Sequence, residues 1–191
     1  MIDWLKNINK PYPEFWKKYV NKFDEKPVKF VAISLIMSGS DFVKDRIISI
    51  GIVTVEKDQI IISESYEIEI LQPIENESTQ NEKKQFSMGI AIEQLISILG
   101  NAVIIGYRVD IDIAFINKAL ERMHCGRLKN EALDIEVMYK KLKDITDDKV
   151  VPIEEIENYF KIIKHNRDSA IEDAYRIALI FLKFKIRLGI K

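Results

Sequence analysis

Residues 28–36 read VKFVAISLI, apolar at nearly every position, as a central strand buried on both faces would be. A second β-branched run, RIISIGIVTV, fills 46–55, and a third covers 59–71. The third ends in SYEIEIL, whose strict alternation predicts one solvated face. Residues 72–86 (QPIENESTQNEKKQF) are polar and charged, a surface loop. The period then changes. Residues 89–99 read as a helix, NAVIIG at 101–106 as a short buried strand, and 110–123 as a helix with Ile113, Ile116, Ala119, Leu120 and Met123 at helical spacing. A strand near Ala132-Leu133 leads into another helix, and VPIEEIENYF at 151–160 opens one more with a proline near its start. The stretch 168–189 is a long helix, with Asp168 or Ser169 as N-cap and Glu172 and Asp173 in its first turns.

Ahead of all this, residues 3–25 set Trp4, Ile8, Phe15, Trp16, Val20 and Phe23 among lysines, with Pro11 and Pro13 interrupting. Because proline is poorly tolerated inside a helix, the pattern predicts two short amphipathic helices. Their aromatics either dock on the body or form an arm for a protein partner. Three strands followed by alternating helices and strands predict an α/β domain with a mixed central sheet and helices on both sides.

Composition narrows the class without naming a function. The chain has 191 residues, 47% of them hydrophobic and 31% charged, which fits a folded domain with a substantial core. A formal net charge of −1 gives no general attraction to polyanions, so nucleic-acid binding would need a local basic surface. KIIKHNR at 161–167 is one such segment, although a solvated helix end explains it equally. No run approaches the ~20 apolar residues of a membrane span, and the N-terminus lacks a signal-peptide pattern. The single cysteine, Cys125, cannot form an internal disulfide. Cytoplasmic residence is the expectation, with no membrane partner.

Candidate chemistry sits in three separated segments: SLIMSG at 34–39, GYRVDIDIAFIN at 106–117 and RDSAIEDA at 167–174. In this order they resemble the DEDD 3′–5′ exonucleases, in the histidine-containing branch that includes the DNA polymerase III epsilon subunit. The resemblance runs over about residues 28–188, and DWLKNINKPYPEFWKKY near the N-terminus extends it to the whole chain. It implies a ribonuclease-H-like domain at 28–191 preceded by a helical N-terminal extension at 1–27.

In that family the first strand carries Asp-x-Glu and then Thr-Thr-Gly. Here Ser34 and Ile36 stand at the carboxylate positions, with Met37 and Ser38 at the edge of the substrate site, and DRIISIG at 45–51 continues the match without a gap. The second motif, His-Asn-x-x-Phe-Asp, aligns with 107–112, placing Tyr107 and Arg108 beside the nucleotide cleft and Asp112 at the aspartate. The third, His-x-Ala-x-x-Asp-Ala, aligns with 168–174, keeping Asp173 and putting Asp168 in the histidine position. Met88 falls where many relatives keep a second histidine next to the 3′ nucleotide.

Active relatives use Mg²⁺ or Mn²⁺, and the resemblance implies a pair of ions roughly 3.5–4 Å apart that activate water and stabilise the leaving oxygen. Such ions require carboxylate oxygens. Ser34 offers a hydroxyl and Ile36 no lone pair, while the ordinary carboxylate pKa near 4 makes Asp168 a poor base at neutral pH. The expectation is therefore a domain that has lost hydrolysis, has no resident cofactor, and binds single-stranded nucleic acid or a protein. Two alternatives stand beside it: an altered nuclease built on Asp112, Asp168 and Asp173, and a scaffold that binds only protein. Tyr107 could stack on a base and Arg108 contact a phosphate; alternatively, Tyr107 fills space and Arg108 neutralises Asp112 or Asp173. Among remaining candidates, Asp110 reads as a helix N-cap, Asp41 and Asp45 as solvated loop residues, His124 as a helix-end residue and His165 as surface.

Overall fold

The computed structural model describes residues 12–27, 29–72, 85–163 and 169–189. Strands β1 (Phe30–Met37), β2 (Ile47–Glu56) and β3 (Gln59–Ile70) form an antiparallel meander, close to the three predicted runs. Strand β5 (Val103–Gly106) lies parallel to β1, and β6 (Ala132–Asp134) parallel to β5. A short β4 (Gln85–Phe86) adds to the far edge of β3, giving the order β4-β3-β2-β1-β5-β6. The loop expected at 72–86 therefore ends in an edge strand; its residues 73–84 lie outside the described ones.

Among the described residues, six α-helices cover the sheet: α1 (Glu14–Asn21), α2 (Met88–Leu99), α3 (Val109–Arg122), α4 (Ile135–Leu142), α5 (Ile153–Phe160) and α6 (Ala170–Leu188). Alternation along β1 divides the interior in two. Val31, Ile33 and Leu35 enter a core with α1, α2 and α3, whereas Phe30 and Ala32 enter a second core with α4, α5 and α6. Full burial of Phe181 and Phe184 from α6 in that second core contributes about 1.5–3 kcal/mol each. Ser34 and Ile36 continue the Ala32 side of the strand. The sheet thus presents both positions to the face that α6 covers.

The β2–β3 hairpin turns on Lys57 and Asp58, both left-handed at φ 47° and 63°, as a two-residue type I′ turn requires. Lys185 of α6 reaches back to the Asp58 carboxylate at 2.7 Å, fastening the end of the helix to the hairpin.

The N-terminal aromatics in the described residues are core. Trp16 and Tyr19 are 3% and 2% exposed. The Tyr19 hydroxyl donates to Asn130 Oδ1 at 2.6 Å and accepts from the Lys129 N–H at 2.7 Å. The first of the two expected helices, with Trp4 and Ile8, lies outside the described residues. Among the described residues no helix is long and apolar enough to cross a membrane.

Candidate functional site

Three elements converge where β1 passes beneath the start of α6. Ser34 pairs with Gly51 across β1 and β2. A Cβ on Gly51 would lie 1.9 Å from the Ala170 carbonyl oxygen, so only glycine lets the helix cross this close. The Ala170 N–H donates to the Glu67 carboxylate on β3 at 3.0 Å, and Ser169 Oγ accepts from the Glu172 N–H at 3.4 Å. Ser169 is thus the N-cap; Asp168 lies outside the described residues. These contacts bring the first turn of α6, with Asp173, over Ser34.

The second carboxylate arrives on α3. Here the expected capping by Asp110 is not found. Asp110 is exposed in the first turn, the N-cap position is Arg108 in a left-handed conformation (φ 49°), and Asp134 supplies the cap from β6. Its Oδ2 accepts from the Val109 N–H at 2.9 Å while its Oδ1 accepts from the Glu136 N–H at 2.8 Å, so one carboxylate caps α3 and α4 together. One turn into α3, Asp112 is 7% exposed, and among the described residues its carboxyl makes no hydrogen bond. Burial, and secondarily the charges of Asp110 and Asp134, push its pKa well above the ordinary carboxylate range.

Between these elements lies an open cleft of about 420 Å³. Ser34, Met37, Tyr107, Arg108, Asp112 and Asp173 all line it. The other expected site residues fall elsewhere. Ile36 follows Ser34 on the same side of β1 but does not line the cleft. Ser38 turns into the β1–β2 loop, donating to Asp45 Oδ1 at 3.0 Å and accepting from the Arg46 N–H at 3.1 Å. Asp45 also accepts from the Asp41 N–H at 2.9 Å, so it organises this loop instead of standing free in solvent. Met88 packs against the other core, beside a narrow groove with Ile47 and Phe115. His165 and the rest of 164–168 lie outside the described residues.

The residue that neutralises Asp173 is not Arg108. Arg176, one turn along α6 and 7% exposed, bonds the Asp173 carboxylate through Nη2 and the Glu157 carboxylate of α5 through Nη1, the latter at 2.5 Å. Burial opposes the guanidinium's charge, but Asp173 and Glu157 outweigh it and hold its pKa above the ordinary arginine value. Arg108 is exposed and forms no salt bridge among the described residues. The Tyr107 hydroxyl donates to the Val151 carbonyl at 2.9 Å, which fixes its ring at the cleft wall. Arg176 and Glu157 escaped the sequence reading. The available signal was a lone arginine in the apolar run AYRIALIFL. Among the described residues, no three His, Cys, Asp or Glu side chains gather as one ion's ligands would.

No protein-family model matches the chain, and no curated protein sequence does. Solved structures do match. Escherichia coli exonuclease I in complex with a dA16 oligonucleotide superposes with TM-score 0.67 at 15% identity, covering 84% of this chain and 41% of that one. S. pombe Pop2p in its Mg²⁺- and Mn²⁺-bound form gives TM-score 0.64 at 13% identity over 84% of each chain. A structure of the yeast NOT1 MIF4G domain co-crystallized with CAF1 gives TM-score 0.62 at 10% identity, covering 93% of this chain and 87% of that one. The chain spans less than half the length of the exonuclease I chains it matches. The fold is the ribonuclease-H-like α/β fold of exonucleases.

Proposed function

We propose that this chain is an exonuclease-fold domain of the epsilon-subunit-like kind that has lost hydrolysis and uses the remaining cleft to hold single-stranded nucleic acid in the cytoplasm. One observation carries the reading: the Asp173 carboxylate is already committed to a buried guanidinium. The donor set does not fit a pair of divalent ions. Ser34 and Ile36 supply no carboxylate, burial favours the neutral form of Asp112, and Arg176 puts a fixed positive charge where a cation would have to approach. No hydrolytic step is therefore assigned to these residues.

What remains is suited to binding. The Tyr107 ring at the wall gives a surface on which a base can stack, worth about 1–3 kcal/mol. Arg108 at the mouth gives a charge for a phosphate. The oligonucleotide complex of exonuclease I supports the same ligand class. In this reading residues 28–191 carry the function, and the extension before them is anchored on the domain through the buried Trp16 and Tyr19.

The test is fluorescence anisotropy with a labelled single-stranded oligonucleotide, in EDTA, across a salt series. Affinity should fall linearly in log-log form as salt rises. Tyr107→Leu and Arg108→Ala should each weaken it about 5- to 100-fold. Absence of binding at low salt would sink the nucleic-acid reading and leave the protein-scaffold alternative, for which the structure containing NOT1 and CAF1 is the precedent in this fold.

A further inference from the structure

We infer that Arg176 is a built-in replacement for a divalent cation: its guanidinium occupies the Asp173 carboxylate at the cleft, is anchored from behind by the buried Glu157, and makes the site independent of metal. The inference rests on the reading just given, that this cleft descends from a metal-dependent site, and extends it by naming what took the cation's place.

The geometry is that of a bridging cation. Two carboxylates on different helices, Asp173 on α6 and Glu157 on α5, meet a single positive group from opposite terminal nitrogens. Glu157 is 3% exposed, so its charge has no recourse to solvent and depends on this partner. Both nitrogens are directed to carboxylates, an arrangement suited to the planar, forked guanidinium and not to lysine. Arg176 itself lines the cleft alongside Ser34 and Asp112, so its charge stands among the groups that would have to receive an ion. An incoming cation would need to displace the guanidinium from Asp173 and would meet its repulsion. Restoring the missing carboxylates on β1 is therefore insufficient to recover metal binding while Arg176 stays.

Four full-length chains test this with Mn²⁺ as probe, read by electron paramagnetic resonance of free Mn²⁺ and by thermal unfolding with and without the ion. They are the natural chain, Ser34→Asp/Ile36→Glu, and that pair combined with either Arg176→Met/Glu157→Gln or Arg176→Gln/Glu157→Gln. Changing Glu157 together with Arg176 avoids leaving a buried unpaired carboxylate, and the glutamine version keeps hydrogen bonding should the methionine version not fold. The natural and Ser34→Asp/Ile36→Glu chains should neither bind Mn²⁺ tightly nor shift in Tm. Removing Arg176 should raise Mn²⁺ affinity about 10- to 100-fold, the range by which groups around a metal site tune it, and make Tm rise with Mn²⁺. If Ser34→Asp/Ile36→Glu already binds Mn²⁺ as tightly with Arg176 in place, or if a folded chain lacking Arg176 gains no affinity, the inference is overturned. Failure of the underlying reading would look different: the natural chain itself would bind Mn²⁺ and cleave DNA.

Discussion

Gly51→Ala is the smallest change that strikes at how the site is assembled. The added Cβ would lie 1.9 Å from Ala170 O, 2.1 Å from Ala170 C and 2.4 Å from Ile171 N. All three are backbone atoms of the α6 start, so no side chain can rotate away. To bring the nearest contact past 3.0 Å, the helix must retreat by about 1 Å or β2 must buckle. Either movement strains the bond from Ala170 N–H to Glu67 and loosens Ala174, Ile177 and Phe181, all at most 3% exposed, from the second core. Overpacking of this kind typically costs about 1–3 kcal/mol, and a rigid backbone obstacle places this case at the upper end. For a chain of this length that is a fall in Tm of roughly 6–12 °C. Thermal unfolding by circular dichroism, with hydrogen exchange along α6, measures it. A Tm within about 2 °C of the natural chain, with unchanged protection in the first turns of α6, would refute the proposed crossing.

Other expectations follow from the charges at the cleft. Arg176→Met alone should cost about 3–5 kcal/mol, because it strands the buried Glu157; adding Glu157→Gln should recover most of that, and an additive outcome in urea denaturation would contradict the pairing. Asp112→Asn should stabilise the protein by about 1–3 kcal/mol at neutral pH, since it removes a buried carboxyl whose charge has no hydrogen-bond partner among the described residues. The pH dependence has a definite sign. A raised folded pKa means that the stability Asp112 lends is fully present below the ordinary carboxylate range and is lost as pH rises through the folded value. The gain from Asp112→Asn should therefore be larger near neutrality than in acid, and a gain that shrinks as pH rises would contradict the burial argument.

The meander and the long helices were readable from the chain because each holds one period long enough to count. The β-branched runs gave β1 and β2 within a residue or two, and α3 followed from Ile113, Ile116, Ala119 and Leu120. Strand β4 was not readable, since two residues carry no period and their pairing with Glu69 and Ile70 joins positions 16 residues apart. Capping at α3 failed for a related reason. Asp110 had the right local position, but Asp134, 25 residues from the Val109 N–H it caps, supplies the oxygen. Local spacing likewise could put Arg176 one turn from Asp173 but could not reveal Glu157 as the second partner, because that contact joins two helices. Ser34, Asp112 and Asp173, from three separated segments of the chain, line one cleft.

The central claim is most directly tested by a 3′-exonuclease assay of the natural chain on a labelled single-stranded oligonucleotide with Mg²⁺ or Mn²⁺, beside an Asp173→Ala control. The account expects no shortening of the oligonucleotide by either chain. Shortening by the natural chain that Asp173→Ala abolishes would contradict it, and would mean that Asp112, Asp168 and Asp173 form a working metal site.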